Sequence, residues 1–172
     1  MNPTPSPEDL AKAVEVLSRL QPGKIPLEIF IEIARLTVLP IIEVVPVRLG
    51  TDGKPQVLLT ERDASDPIWG GMLHTPGTVL RPSDAGEGNT GAFGRILNDE
   101  LNGVEVGEPV LVDGIFHKVK RGVEQAQVYY VEVYGEPTKG QFYDADNLPA
   151  NIVDTQLDFI RNAVALFVAN KQ

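Results

Sequence analysis

The sequence predicts an α/β fold, an α/β/α sandwich with a mixed sheet, preceded by a helical extension. Three observations carry this expectation. Apolar residues recur at helical spacing up to residue 39 and at strand spacing from residue 41. A hairpin turn, Thr51-Asp52-Gly53-Lys54, separates two strand-like runs. One helical stretch then interrupts the strands and another closes the chain, so the elements run αα-ββ-β-α-ββ-α. Alternation of this kind sets layers and not function.

In chain order, Ser6-Pro7-Glu8-Asp9 reads as a helix start. Serine caps, proline tolerates the first turn, and the acids meet the positive end of the dipole. Leu10, Val14, Leu17 and Leu20 share one face, and Gln21-Pro22-Gly23 stops the helix. A second helix is expected from Pro26 to Leu39, with Glu28, Glu32 and Arg35 at helical spacing. Its β-branched residues leave a strand as the alternative. Residues 1–39 thus form an extension that packs or dimerises, with a lid over a site as the sharper reading. Residues 40–172 form the main domain.

There, IIEVVPVRL and QVLLTER are strands around the hairpin turn. Residues 63–71 form a loop holding Trp69, the only tryptophan. A short strand follows near Thr78–Leu80, then a loop from Ser83 to Gly88 and a helix over Asn89–Asn102. Val110–Lys118 and Ala126–Tyr134 are strands joined by a charged turn, Val119–Glu124. Residues 140–149 read as loop, and Asp154–Asn170 as a last helix with Leu157, Ile160 and Val164 on one face.

The chain has 172 residues, 42% of them hydrophobic, which suits one domain with a core plus the extension. A net charge of −9 argues against nucleic acid as a partner, although a bound cation can still bring in a nucleotide. The chain lacks cysteine, which excludes thiolate metal sites and a thiol nucleophile. With neither a signal sequence nor a membrane-spanning run in view, a cytoplasmic setting is expected. His74 and His117 lie far apart, and no phosphate-binding P-loop or serine-elbow pattern is present.

The informative stretch is Gly86 to Val104. Glycine inside a helix costs about 1 kcal/mol against alanine, so Gly91 and Gly94 are expensive unless the backbone approaches something closely. Asp99 and Glu100 are adjacent like charges, with Glu87 within reach in the loop before them. Such oxygen donors suit Mg²⁺ or Mn²⁺. Arg95 can tie the loop carboxylate to the helix and leave the others to metal. A solvated helix face with ion pairs is the plainer account.

Glu87, Arg95, Asp99, Glu100, Gly103 and Val104 resemble, in their spacing, the signature of the Nudix family, in which a glycine, a glutamate, an arginine and a glutamate pair recur at set intervals. Trp69, Pro76-Gly77 and the run Leu58-Leu59-Thr60-Glu61-Arg62 are similar to the family's approach to that motif, and the likeness covers about residues 40–172. It implies a metal-dependent pyrophosphohydrolase acting on a nucleoside diphosphate linked to another moiety. A non-catalytic module binding a nucleotide or a protein partner is the alternative. It also implies Glu100, Asp99 and Glu87 as metal ligands and catalytic residues, with Arg95 orienting them. Arg62, Arg81, Trp69 and Lys118 are candidate substrate contacts, and the apolar extension points to a homodimer.

The departures are specific. Nine residues separate Gly77 from Glu87, where the pattern has five, and Asn102 is one extra residue before Gly103. Ile96 stands where the first glutamate after the arginine belongs, and isoleucine neither binds metal nor accepts a proton. A replacement base is therefore expected from a later loop, from Glu124, Asp144 or Asp146.

Overall fold

The structure of the chain, a computed structural model, describes residues 4–86 and 89–172, without the side chain of Asn89. Helix α1 spans Pro7–Ser18 and is capped as expected, with the Ser6 hydroxyl accepting from the Asp9 N–H and the Asp9 carboxylate accepting from the Ser6 N–H. Helix α2 spans Leu27–Leu36 and is shorter than the sequence suggested. Val38 and Leu39 instead open strand β1, Val38–Leu49, because the β-branched run there pairs in parallel with a later strand. Strand β2 is Pro55–Glu61, and the turn before it places Gly53 at φ +79°. Two short strands follow, β3 at Leu73–His74 and β4 at Gly77–Val79. A 3₁₀ turn covers Pro82–Gly86, helix α3 covers Asn89–Asp99, and β5 is Glu105–Val106.

Strands β6, Val110–Val119, and β7, Gly122–Tyr134, form a hairpin around Lys120 and Arg121 alone. The charged turn is thus shorter than expected, and Glu124 lies within β7. Residues Gln141–Asp144, read from the sequence as loop, form β8 against β2. The chain closes with a 3₁₀ turn at Asp154–Gln156 and helix α4, Leu157–Ala169.

The sheet is mixed. Strand β1 is its spine, parallel to β7 along ten residue pairs and antiparallel to β4 in its first half and β2 in its second. One face, with Ile41, Val45 and Val128, packs on α2 and α4 through Ala34, Phe159, Ile160 and Phe167. The other, with Ile42, Val44 and Val131, packs on α3 through Ala92 and Ile96. This is the expected α/β/α sandwich. Helix α2 shares the main core: a Cβ on Gly122 of β7 would overlap the Ala34 carbonyl. No α1 residue is buried, and Leu10, Val14 and Leu17 are exposed.

Candidate active site

Helix α3 is clamped to the outer edge of β4. Thr78 pairs with Ile42, Val44 N–H bonds the Pro76 carbonyl at 2.8 Å, and Leu80 N–H bonds the Pro40 carbonyl at 2.9 Å. In antiparallel register this leaves the polar groups of Gly77 and Val79 pointing away from β1. Arg95 Nη2 donates to the Val79 carbonyl at 3.1 Å, and the Glu100 carboxylate accepts the Gly77 N–H. Glu100 N–H and Leu101 N–H both reach the Ile96 carbonyl, at 2.9 and 3.1 Å. This wide last turn accommodates the extra residue before Gly103, which sits at φ +93°.

Arg95 holds a loop carboxylate, that of Asp84, which the sequence reading did not single out. Its guanidinium grips both oxygens of Asp84 in the 3₁₀ turn. Asp84 also accepts the Arg81 N–H at 2.7 Å, and the Arg95 hydrogen bond holds its carboxyl below the usual range. The lengthened loop therefore supplies its own acid. Glu87, the expected partner and metal ligand, lies outside the described residues.

Asp99 and Glu100 line one cleft of about 330 Å³ together with Glu61, Arg62, His74 and Lys139. Lys139 Nζ donates to the Asp99 carbonyl at 3.3 Å. Burial pushes the Glu100 carboxyl up to about 7, opposed by the Gly77 N–H and Arg62. His74 lies 3.8 Å from Glu100. Burial lowers the imidazole to about 4, so it is neutral at pH 7, with Nδ1 donating to the Thr75 carbonyl and Nε2 left to accept from Thr60. Among the described residues no three His, Asp or Glu side chains converge on one cation position. Two oxygen donors on one wall do fit a hydrated Mg²⁺ or Mn²⁺, which takes one or two carboxylates and keeps water. Ile96 is 1% exposed and points into the core, so its position offers no ligand to the cleft.

The other expected contacts are dispersed. Arg62 lines the cleft but is held by Asp66 at 2.8 and 2.6 Å. Trp69 is 7% exposed, with the guanidinium groups of Arg62 and Arg121 each 5.3 Å from its ring, so its burial leaves little of it for a base to stack on. Lys118 is exposed on β6 and does not line the cleft. Arg81 faces a separate cavity of about 340 Å³, lined by Ile25 and Phe30 of the extension and by Gly77–Pro82. Gly77 borders both cavities.

None of the three candidate bases lines the cleft. Asp144 accepts from Gln56 at 3.0 Å on β8. Glu124 is buried against Arg121 at 2.5 Å, because it faces inward on β7. It belongs to a second polar chamber with Glu43, His117 and Gln156. There Gln156 donates to Glu43 at 2.9 Å, and His117 Nε2 is buried without a hydrogen-bond partner. Glu43 was missed in the sequence because it stands among the apolar residues of IIEVVPV. Asp84 and Lys139 were missed because only folding brings them to α3.

No family model matches the chain, and neither does any curated protein. Solved structures do match. The NUDIX domain of Shewanella oneidensis NrtR, in complex with ADP ribose, aligns at a TM-score of 0.58 and 14% identity over 90% of this chain and 97% of that one. The Caenorhabditis elegans Ap4A hydrolase aligns at 0.57 and 15% over 76% and 99%. The C-terminal domain of mouse MUTYH, in complex with human PCNA, aligns at 0.57 and 16% over 78% and 90%. The fold is the Nudix fold.

Proposed function

We propose that this Nudix-fold chain is a metal-dependent pyrophosphohydrolase with a reduced ligand set, acting on a nucleoside diphosphate linked to another moiety. The observation that supports this best is the shared cleft of Asp99 and Glu100, faced by Arg62 and Lys139. Acids for a cation and cations for a phosphate line one space. Solved structures of similar fold include an Ap4A hydrolase and an ADP-ribose complex.

On this reading Asp99 and Glu100, with Glu87 from the loop, hold Mg²⁺ or Mn²⁺, which when bound neutralises phosphate charge and acidifies water. The chain does the rest by positioning. The Gly77 N–H fixes one oxygen of Glu100, and Arg95 with Asp84 anchors the Pro82–Gly86 turn to α3. Lys139 meets phosphate charge in place of Lys118. Arg81 contacts the far end of the substrate in the cavity beside the extension.

Nucleoside-diphosphate substrates screened with Mg²⁺ or Mn²⁺ should show turnover that Glu100→Gln abolishes. A panel without turnover overturns the hydrolase reading. Ile96 in the core and Glu100 on the Gly77 N–H favour a second reading, a nucleotide- or protein-binding module. Calorimetry would then show nucleotide binding without metal that survives Glu100→Gln. We also propose a cytoplasmic homodimer built on Leu10, Val14 and Leu17, an unburied helical stripe. Sedimentation should give a dimer that Val14→Glu dissociates, and a wild-type monomer refutes it.

A further inference from the structure

We propose that Glu61 is the general base of this hydrolysis, an assignment that rests on the hydrolase reading above. Five carboxylates line the cleft: Glu61, Asp63, Asp66, Asp99 and Glu100. Most are committed. Asp63 accepts from the Ser65 N–H at 2.8 Å and from the Ser65 hydroxyl at 2.7 Å. Asp66 holds Arg62 and accepts the N–H groups of Ile68 and Trp69. Glu100 holds the Gly77 N–H. Of these five, only Asp99 and Glu61 have carboxylates with neither a hydrogen bond nor an ion pair among the described residues. Asp99 belongs to the helix wall beside Glu100. Glu61 comes from another wall, at the end of β2, and is exposed.

Its backbone is fixed while its side chain is free. Glu61 pairs with Leu73 in β3. The next residue is held by Arg62 N–H to the Met72 carbonyl at 3.0 Å and by Gly71 N–H to the Arg62 carbonyl at 3.1 Å. Glu61, Asp99 and Glu100 do not converge on one cation position. Glu61 therefore stands apart from the helix acids, in a cleft with room for a phosphate group and a water.

The step balances with water alone. The water oxygen forms a bond to phosphorus as the bridging P–O bond breaks. The leaving oxygen keeps the electron pair of that bond, and the proton of the water passes to the Glu61 carboxylate. From an exposed side chain that proton returns to solvent. Glu61 thus supplies what Ile96 cannot.

Steady-state kinetics of wild type, Glu61→Gln and Glu61→Asp, on the nucleoside-diphosphate panel with Mg²⁺ or Mn²⁺, decide the matter. Glu61→Gln should lower kcat at least about 100-fold, the range of general-base loss, with little change in KM. It should also erase the acidic limb of the pH–kcat profile and leave the melting temperature unchanged. Glu61→Asp should retain part of the rate. An active wild type with an equally active Glu61→Gln overturns the base and leaves the hydrolase standing. An inactive wild type overturns both.

Discussion

Glu43 of β1 faces Gly77 of β4 so closely that a Cβ on Gly77 would lie 2.6 Å from a Glu43 carboxylate oxygen. The glycine beside the cleft is therefore required by a buried acid on the sheet. Gly77→Ala should destabilise the protein by about 1–3 kcal/mol, the usual cost of overpacking. Urea melts would measure it. Adding Glu43→Ala should recover part of that loss, since neighbouring substitutions are not additive. Strict additivity would show that the contact is not the cause.

Glu43 also predicts how stability varies with pH. Burial pushes its carboxyl from 4.5 up to about 8, with Glu124 adding and Arg121 opposing. Between those values the folded chain holds a proton that the unfolded chain has released, so stability falls as pH rises. Glu100, raised to about 7, acts with the same sign. His74 acts oppositely between about 4 and 6.5, where only the unfolded chain is protonated. Above 6.5 the Glu43 effect is no longer offset by His74. Melting temperatures should decline from pH 6.5 to 8, and Glu43→Gln should flatten the decline. An unchanged slope in the variant would rule out Glu43 as its source.

Ile96→Glu restores the family pattern on paper. In the fold it inserts a carboxylate among Ala92, Leu101 and Val131. The expected result is a loss of about 3–5 kcal/mol, in the range of large losses of core packing, with no gain in turnover. Calorimetric melting together with the activity assay would check both. A stable, faster variant would mean that position 96 can turn toward the cleft.

Arg95 and Asp84 should behave as one unit. Asp84→Asn and Arg95→Gln should each lower the melting temperature, and the double variant should lose less than the sum. A double-mutant cycle with no coupling would contradict the pairing.

Much of the architecture was legible in the residues. Alternating and helical periods located the long strands and the last three helices. Ser6, Pro7 and the acids after them marked the start of the first helix, and Gly53 marked the turn between β1 and β2. Glu100, Asp99 and Arg95 were legible because their spacing on one short helix sets their relative positions before anything else folds. The misreadings were long-range. Val38–Leu39 joins the sheet, and Gln141–Asp144 becomes β8, because partner strands are available that no local window contains.

By itself, the sequence determined the α/β/α layering, the acidic end of α3 and an apolar residue, Ile96, where the Nudix pattern carries a glutamate. Tertiary structure alone decided that Asp84 takes Arg95, that Glu124 is buried, and that Glu61 stands free at the cleft. Helical spacing sets neighbours along one element. Which side chains meet across β1, β2, β4 and α3 depends on strand register and sheet order, and those form only when distant segments pair.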